Sequence, residues 1–456
     1  MWWTSKPLVP RAAAILLALV APITISSALP ALATPPLLDL GAIASRAREV
    51  SHAVTMSRAA VDVARVEGRR NLQRLNPQLG LSGRYTRISE ESPIVIEPGI
   101  PGVSVSLPGP RPDQWAFGFS VTFPLSDWLV RKAAIEDASG ASVNAQAALR
   151  VAAERRASLE AMLAYFALVR VVRAEVVARQ SLLDAERRTG EVRLRIEARL
   201  GSEADLRLAE VDLAARREDL DVLGNSRQLL LAQLGTLLDL EDSSFDSFSL
   251  ELAAVEVGPL LGAPVSAMLA EASRLRPEVK ALGEGRLALS ARADLARAAR
   301  LPRLDLAANA QLVDPNPRTL MQEDGLVGIW DVSAVLSWQL DGLWQADTDL
   351  RGLAAERTAL EADQRALEDG FRMEIEAALT ALRDAESRRL ASNAMIAAAS
   401  EGHRVRLALY RAGSATATEV AEAETQLARA RLAAVDAEVG LWVGKVRLDH
   451  ALGRPL

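Results

Sequence analysis

The chain has 456 residues, with 53 Lys and Arg against 59 Asp and Glu, for a net charge of −6. Half of it is hydrophobic, yet aromatic residues make up only 4% and there is no cysteine. The charge balance excludes a broad basic surface for nucleic acid. The absence of cysteine excludes disulfides, thiolate metal sites and a thiol for N-terminal lipidation. The abundance of Ala, Leu and Arg favours long helices over sandwich domains.

In chain order, residues 1–33 read as a secretory signal. Lys6 and Arg11 supply the positive start, 12–20 the apolar run, and Ala31-Leu32-Ala33 an A-x-A cleavage site. Residues 34–239 form a first unit. A helical segment over 37–75, with Ile43, Val50, Val54, Val61 and Leu72 at helical spacing, ends at Asn76-Pro77. A strand near 78–88 follows, then a loop over 88–114 holding Pro93, Pro98, Pro101, Pro108, Pro110 and Pro112. That proline density argues against helix and central strand alike.

The stretch 115–125, WAFGFSVTFPL, places Trp115, Phe117, Phe119, Val121, Phe123 and Leu125 on one face. Ala116, Gly118, Ser120, Thr122 and Pro124 fall on the other. An apolar face of about ten residues is what a membrane β-strand needs. A proline-free helix then runs over 126–200, with a seam at Leu159, Met162, Phe166, Val169, Val172 and Val176. Gly201-Ser202 breaks it, and a return helix to 239 completes an antiparallel hairpin.

Residues 240–273, with Phe245, Phe248, Gly258-Pro259 and Ala263-Pro264, read as a connector holding a short helix or strand. The pattern then restarts over 274–456. Pro277 opens a helix that ends at Leu301-Pro302, and a strand follows near 303–313. A second aromatic strand lies near 329–341, with Trp330, Val332, Ala334, Leu336, Trp338 and Leu340 on one face. A helical hairpin over 343–453 has Leu353, Leu360, Leu367, Phe371, Ile375 and Leu379 as its seam and breaks at Gly413-Ser414. The two aromatic stretches lie about 215 residues apart, so the chain reads as duplicated. The fold class expected is α with membrane β: two tandem units of helix, two strands and a long helical hairpin.

No catalytic constellation is apparent. His52, His403 and His450 are scattered on helices, and Glu401 with His403 is too isolated for a metal site. No enzyme activity, cofactor or metal is expected.

Helix, strand, proline loop, strand, long helix, tight turn and return helix, all twice, resembles the TolC family of outer-membrane efflux proteins. The resemblance is carried by 299–304 (ARLPRL) before the third strand, 410–414 (YRAGS) at the second turn and 451–453 (ALG) near the end. It implies a homotrimer in which four strands per chain build one twelve-stranded barrel in outer-membrane lipid. The helices would form a tube in the periplasm. Trp115, Trp128, Trp330, Trp338 and Trp344 would supply interfacial belts. Glu419 and Glu422, counted from Gly413, would line the closed pore, where six crowded carboxylates raise some of their pKa values. Arg199, Gly201, Arg411 and Gly413 would meet a periplasmic adaptor that works with an inner-membrane transporter. The function implied is the exit duct of a tripartite efflux or type I secretion system. The alternative is a structural periplasmic coiled-coil protein that transports nothing. The first turn reads as about two residues shorter than the second.

Overall fold

The computed structural model describes residues 39–89, 94–96, 104–107, 111–240, 252, 255–319 and 325–456. The signal segment 1–33 and the connector residues Phe245 and Phe248 lie outside them. The elements are α1 (Leu40–Val50), α2 (His52–Gln73), β1 (Gln78–Arg87), β2 (Ile94–Ile96), β3 (Val105–Leu107), β4 (Asp113–Phe123), α3 (Leu125–Val130) and α4 (Lys132–Glu197). They continue with α5 (Glu203–Leu238), α6 (Gly258–Leu261), α7 (Val265–Leu275), α8 (Pro277–Ala298), β5 (Arg303–Asp314), β6 (Val327–Ser337), α9 (Gly342–Arg411) and α10 (Ala417–Leu452).

Four strands make one antiparallel sheet in the order β1-β4-β5-β6. Its register aligns the apolar faces. Leu81 lies opposite Phe119, Phe119 opposite Ala310, and Ala310 opposite Trp330. The polar residues align equally: Gly80 with Ser120, Ser120 with Asn309, and Asn309 with Asp331, whose carboxylate accepts from the Asn309 amide at 2.9 Å. A slip of one residue in any strand would mix the two faces. In the protomer the apolar face is the open one. Leu81 is 87% exposed, Phe119 47% and Trp330 72%, while Ser120, Asn309 and Asp331 are half-buried. This inverts the arrangement of a soluble sheet.

Three element boundaries differ from the sequence expectation. The proline loop contains a small hairpin, β2 against β3, whose two three-residue strands, IVI and VSL, hold no proline. The aromatic strand expected near 115–125 ends at Phe123, where Pro124 becomes the N-cap of α3. The strand expected near 329–341 ends at Ser337. There the chain leaves the sheet, and the Trp338 indole donates to the Arg300 carbonyl at 3.2 Å. Helix also extends differently: the segment 37–75 divides at Ser51, and the segment 126–200 divides at Arg131.

The helices α4 and α9 have 66 and 70 residues, so each spans roughly 100 Å. A compact core does not need that length. Shorter helices pack along them: α2, α5, α8 and α10 against α4, and α8 and α10 against α9. Two apolar clusters sit near mid-length. One joins Ile43 and Ala47 of α1 to Met162, Phe166 and Val169 of α4 and Leu234 and Leu238 of α5. The other joins Met268 and Ala272 of α7 to Phe371, Ile375 and Leu379 of α9 and Leu448 and Leu452 of α10. The expected seam of α4 departs at Val176, which is 65% exposed.

The duplication is exact in length in the return helices, where Glu203–Leu238 corresponds to Ala417–Leu452. Both closing caps are left-handed, at Asp239 (φ 50°) and Gly453 (φ 75°). From the tips onward the offset is constant, since 413 − 199 and 453 − 239 are both 214; in the sheet, Trp115 and Trp330, which share the apolar face, are 215 apart.

Candidate functional site

The two helical turns lie side by side at the end far from the sheet. Helix α4 ends at Glu197 and α5 starts at Glu203; α9 ends at Arg411 and α10 starts at Ala417. Each gap is five residues, 198–202 and 412–416, so the first turn is not shorter. Gly201 is not the counterpart of Gly413. The left-handed seat that closes α9 is Gly413 (φ 80°), whereas the same seat in α4 is Arg199 (φ 60°). The next amide then bonds back in the same way in both turns: Leu200 N–H to the Arg195 carbonyl at 2.8 Å, and Ser414 N–H to the Leu409 carbonyl at 2.9 Å. A side chain in that seat costs about 1–2 kcal/mol, which is why glycine misleads as a marker here. Gly201 instead answers to a close approach. A Cβ there would lie 3.1 Å from Ile196 Cγ1 and 3.2 Å from Ile196 N.

The return helices start on side-chain caps. Ser202 Oγ accepts from Ala204 N–H at 3.2 Å. Thr416 Oγ1 accepts from Glu419 N–H at 3.2 Å, and Glu419 Oε2 accepts from Thr416 N–H at 2.8 Å, a reciprocal capping box. Glu419 Oε1 also lies 2.8 Å from Arg406 Nη1. These bonds, the Thr416 amide first and its hydroxyl next, hold the Glu419 carboxyl below the usual carboxylate range. Within the protomer this is opposite to the upward shift expected from crowding. Its contribution to the cap is present above the ordinary carboxylate pKa and is lost as pH falls through the lowered value. Glu422, one turn further on, is exposed. In the first unit the corresponding positions are Asp205 and Leu208, so only one acid is duplicated.

Residues not picked out by sequence reading join the two turns. Arg195 Nη2 donates to the Tyr410 carbonyl at 2.6 Å, and its guanidinium lies 3.9 Å from the Tyr410 ring. Deeper in, Arg188 of α4 is 4% exposed and donates to Asp212 of α5 and Glu424 of α10. Arg216 completes the group, 3.2 Å from Asp212 and 2.6 Å from Thr425 Oγ1. Burial pulls the Arg188 guanidinium below its ordinary value, and Asp212 opposes that shift. Burial likewise lowers His403, whose Nε2 is 3.8 Å from Glu424. The available signal was spacing: Arg188 shares a seam with the buried Ala185 and Val192.

At the other end, the five candidate tryptophans are all exposed, from 44% at Trp128 to 72% at Trp330. They fall at two levels. Trp115 and Trp330 lie near the loop ends of β4 and β6, while Trp128, Trp338 and Trp344 follow the helix ends of those strands. An eleven-residue strand is about 37 Å long. Tilted as barrel strands are, it spans a lipid band of about 25 Å. Among the described residues no helix is long and apolar enough to cross a membrane.

Comparison with known proteins agrees with this layout. The outer membrane efflux protein family matches residues 43–238 and 268–454, and the chain belongs to that family. Its fold is shared with solved outer-membrane channels. OprN is 20% identical, with 91% of this chain and 90% of that chain covered and a TM-score of 0.74. VceC from Vibrio cholerae is 19% identical, with 91% and 96% covered and a TM-score of 0.72. The open state of MtrE from Neisseria gonorrhoeae is 19% identical, with 91% and 89% covered and a TM-score of 0.71. A comparison with curated protein sequences gives no match.

Proposed function

We propose that three copies of this chain form the outer-membrane exit duct of a tripartite efflux or type I secretion system. The observation that carries the proposal is the sheet. Its four apolar faces lie in register on one side, and its two edges, β1 and β6, have no further partner strand among the described residues. Four strands cannot close a barrel, and an open edge in lipid leaves unsatisfied backbone groups. Pairing β6 of one protomer with β1 of the next gives a closed barrel of twelve strands. The polar faces then line water, and the tryptophans reach both interfaces.

The long helices continue the barrel as a tube into the periplasm. The turns at Arg199, Gly201, Arg411 and Gly413 meet a periplasmic adaptor, and an inner-membrane transporter supplies the energy. The duct itself is passive and catalyses nothing. The alternative, a periplasmic coiled coil without transport, has no use for an exposed aromatic sheet face.

The gate is placed at Glu419 and Glu422, ringed by threefold symmetry near the inner end. Glutamine at 419 retains the geometry of a capping box, so the double variant Glu419→Gln with Glu422→Gln removes charge while keeping the cap. Single-channel recordings of the double variant are expected to show weaker cation selectivity and weaker block by multivalent cations. The effect shrinks at high salt. Neutralising Glu361 and Glu368 on α9 is the control, with little change expected. Unchanged selectivity and block in the 419/422 variant would remove these residues from the gate.

A further inference from the structure

Where the sheet meets the helices, the ends of α2 and α8 and the start of α4 enclose a cavity of about 680 Å³. Arg74, Arg131, Arg292 and Arg303 line it, with only Glu67 and Asp127 as acids. Asp127 is shared between Arg131 at 3.3 Å and Arg303 at 3.5 Å, and Arg303 also reaches Asp305 at 3.2 Å. Arg74 and Arg292 are exposed, and their side chains make no hydrogen bond or ion pair among the described residues.

The charge here runs against the rest of the molecule. The chain as a whole is acidic, at −6. The two other large grooves are balanced. One has Arg170, Arg216 and Arg447 against Glu218, Asp219 and Asp436. The other has Arg156, Arg276 and Arg447 against Glu160, Glu278 and Glu374. Of these three, the cavity below the sheet carries an excess among the described residues, four guanidiniums over two carboxylates. Its direction is also fixed. Gln78 and Arg303, the first residues of β1 and β5, line it, and both belong to the polar face, opposite Thr122 and Ser337. The cavity therefore meets the sheet on its polar face, the side that the duct reading puts inside.

We infer that this collar is a binding station for small, multiply charged anions, and that the duct's cargo includes that class. The inference rests on the duct reading, which puts the polar face inside. Three protomers bring twelve guanidiniums and six carboxylates to one level of the duct. Guanidinium forks pair with phosphate, sulfonate and carboxylate oxygens. A recessed site of one sign concentrates counter-charged solutes.

The test uses the full mature protein purified in detergent, with pyranine, a trisulfonated dye, as the probe and fluorescence anisotropy as the readout. The wild-type trimer is expected to bind pyranine, to release it to inorganic tripolyphosphate, and to bind it more weakly as ionic strength rises. Arg74→Gln with Arg292→Gln is expected to weaken binding at least tenfold. Both side chains are exposed and unpaired, and size-exclusion elution as a trimer verifies that the variant folds. Arg365→Gln with Arg388→Gln, an equal loss of charge on α9, is expected to leave binding unchanged. A wild-type trimer that does not bind pyranine, or pairs of variants with equal affinity, would overturn the collar while leaving the duct intact. A protein that elutes as a monomer would overturn the duct reading and the collar with it.

Discussion

Arginine in place of Phe119 is expected to abolish barrel assembly, whereas arginine in place of Ser120 is expected to be tolerated. The two residues are adjacent in β4 but lie on opposite faces, Phe119 beside Leu81 and Ala310, and Ser120 beside Gly80 and Asn309. On the lipid side, a guanidinium at mid-bilayer costs about 2–4 kcal/mol per chain, and a shared barrel incurs it three times. On the lumen side the same group stays in water. The measurement is the yield of folded, membrane-inserted oligomer, read from heat-dependent mobility and membrane fractionation. Equal yields for the two variants would mean that the faces are assigned the wrong way round or that the sheet does not meet lipid.

The second large effect is expected at Arg188. This guanidinium, 4% exposed, links α4 to α5 through Asp212 and to α10 through Glu424. Leucine fills much of the space but leaves two partly buried carboxylates facing an apolar group. Breaking a buried ion pair by removing one partner costs about 3–5 kcal/mol. Arg188→Leu should therefore lower the denaturant midpoint of the helical circular-dichroism signal substantially. Adding Glu424→Leu should restore part of the loss, because one stranded charge goes with it. A midpoint within experimental error of wild type would show that the group is solvated and contributes little.

The sheet was legible because its signal is strong and local. Period-two alternation in 115–125 and 329–341 contains both the strand and its two faces, and the pairing of β1, β4, β5 and β6 keeps those faces intact. Strand ends were less legible. At Ser337 the alternation continues through Trp338 and Leu340 although the ladder stops, because hydrophobic pattern reports which side a residue faces and not whether its backbone is paired. Proline density hid the hairpin β2–β3 for a related reason: proline forbids a ladder position but not the positions beside it.

At the tip one residue type misleads: glycine normally marks the left-handed seat that closes a helix, which sets Gly201 against Gly413. In the first unit that seat is Arg199, and the closing cap of α5 is Asp239 where α10 has Gly453. The return helices, Glu203–Leu238 and Ala417–Leu452, match at an offset of 214, which pairs Arg199 with Gly413 without any glycine; the aromatic strands do not give it, because Trp115 and Trp330 share a face at 215. The Arg188 group could not be found in this way, because its partners come from three helices whose neighbours are set only by the packing of the bundle.

The most direct measurement is the mass of the purified protein in a defined detergent, by light scattering with the detergent contribution subtracted. A full chain is 48.9 kDa, so a protein mass close to three chains is expected, together with the infrared or circular-dichroism signature of closed β-structure. A monodisperse particle of one chain, with its strand content intact, would contradict the shared barrel and with it the duct.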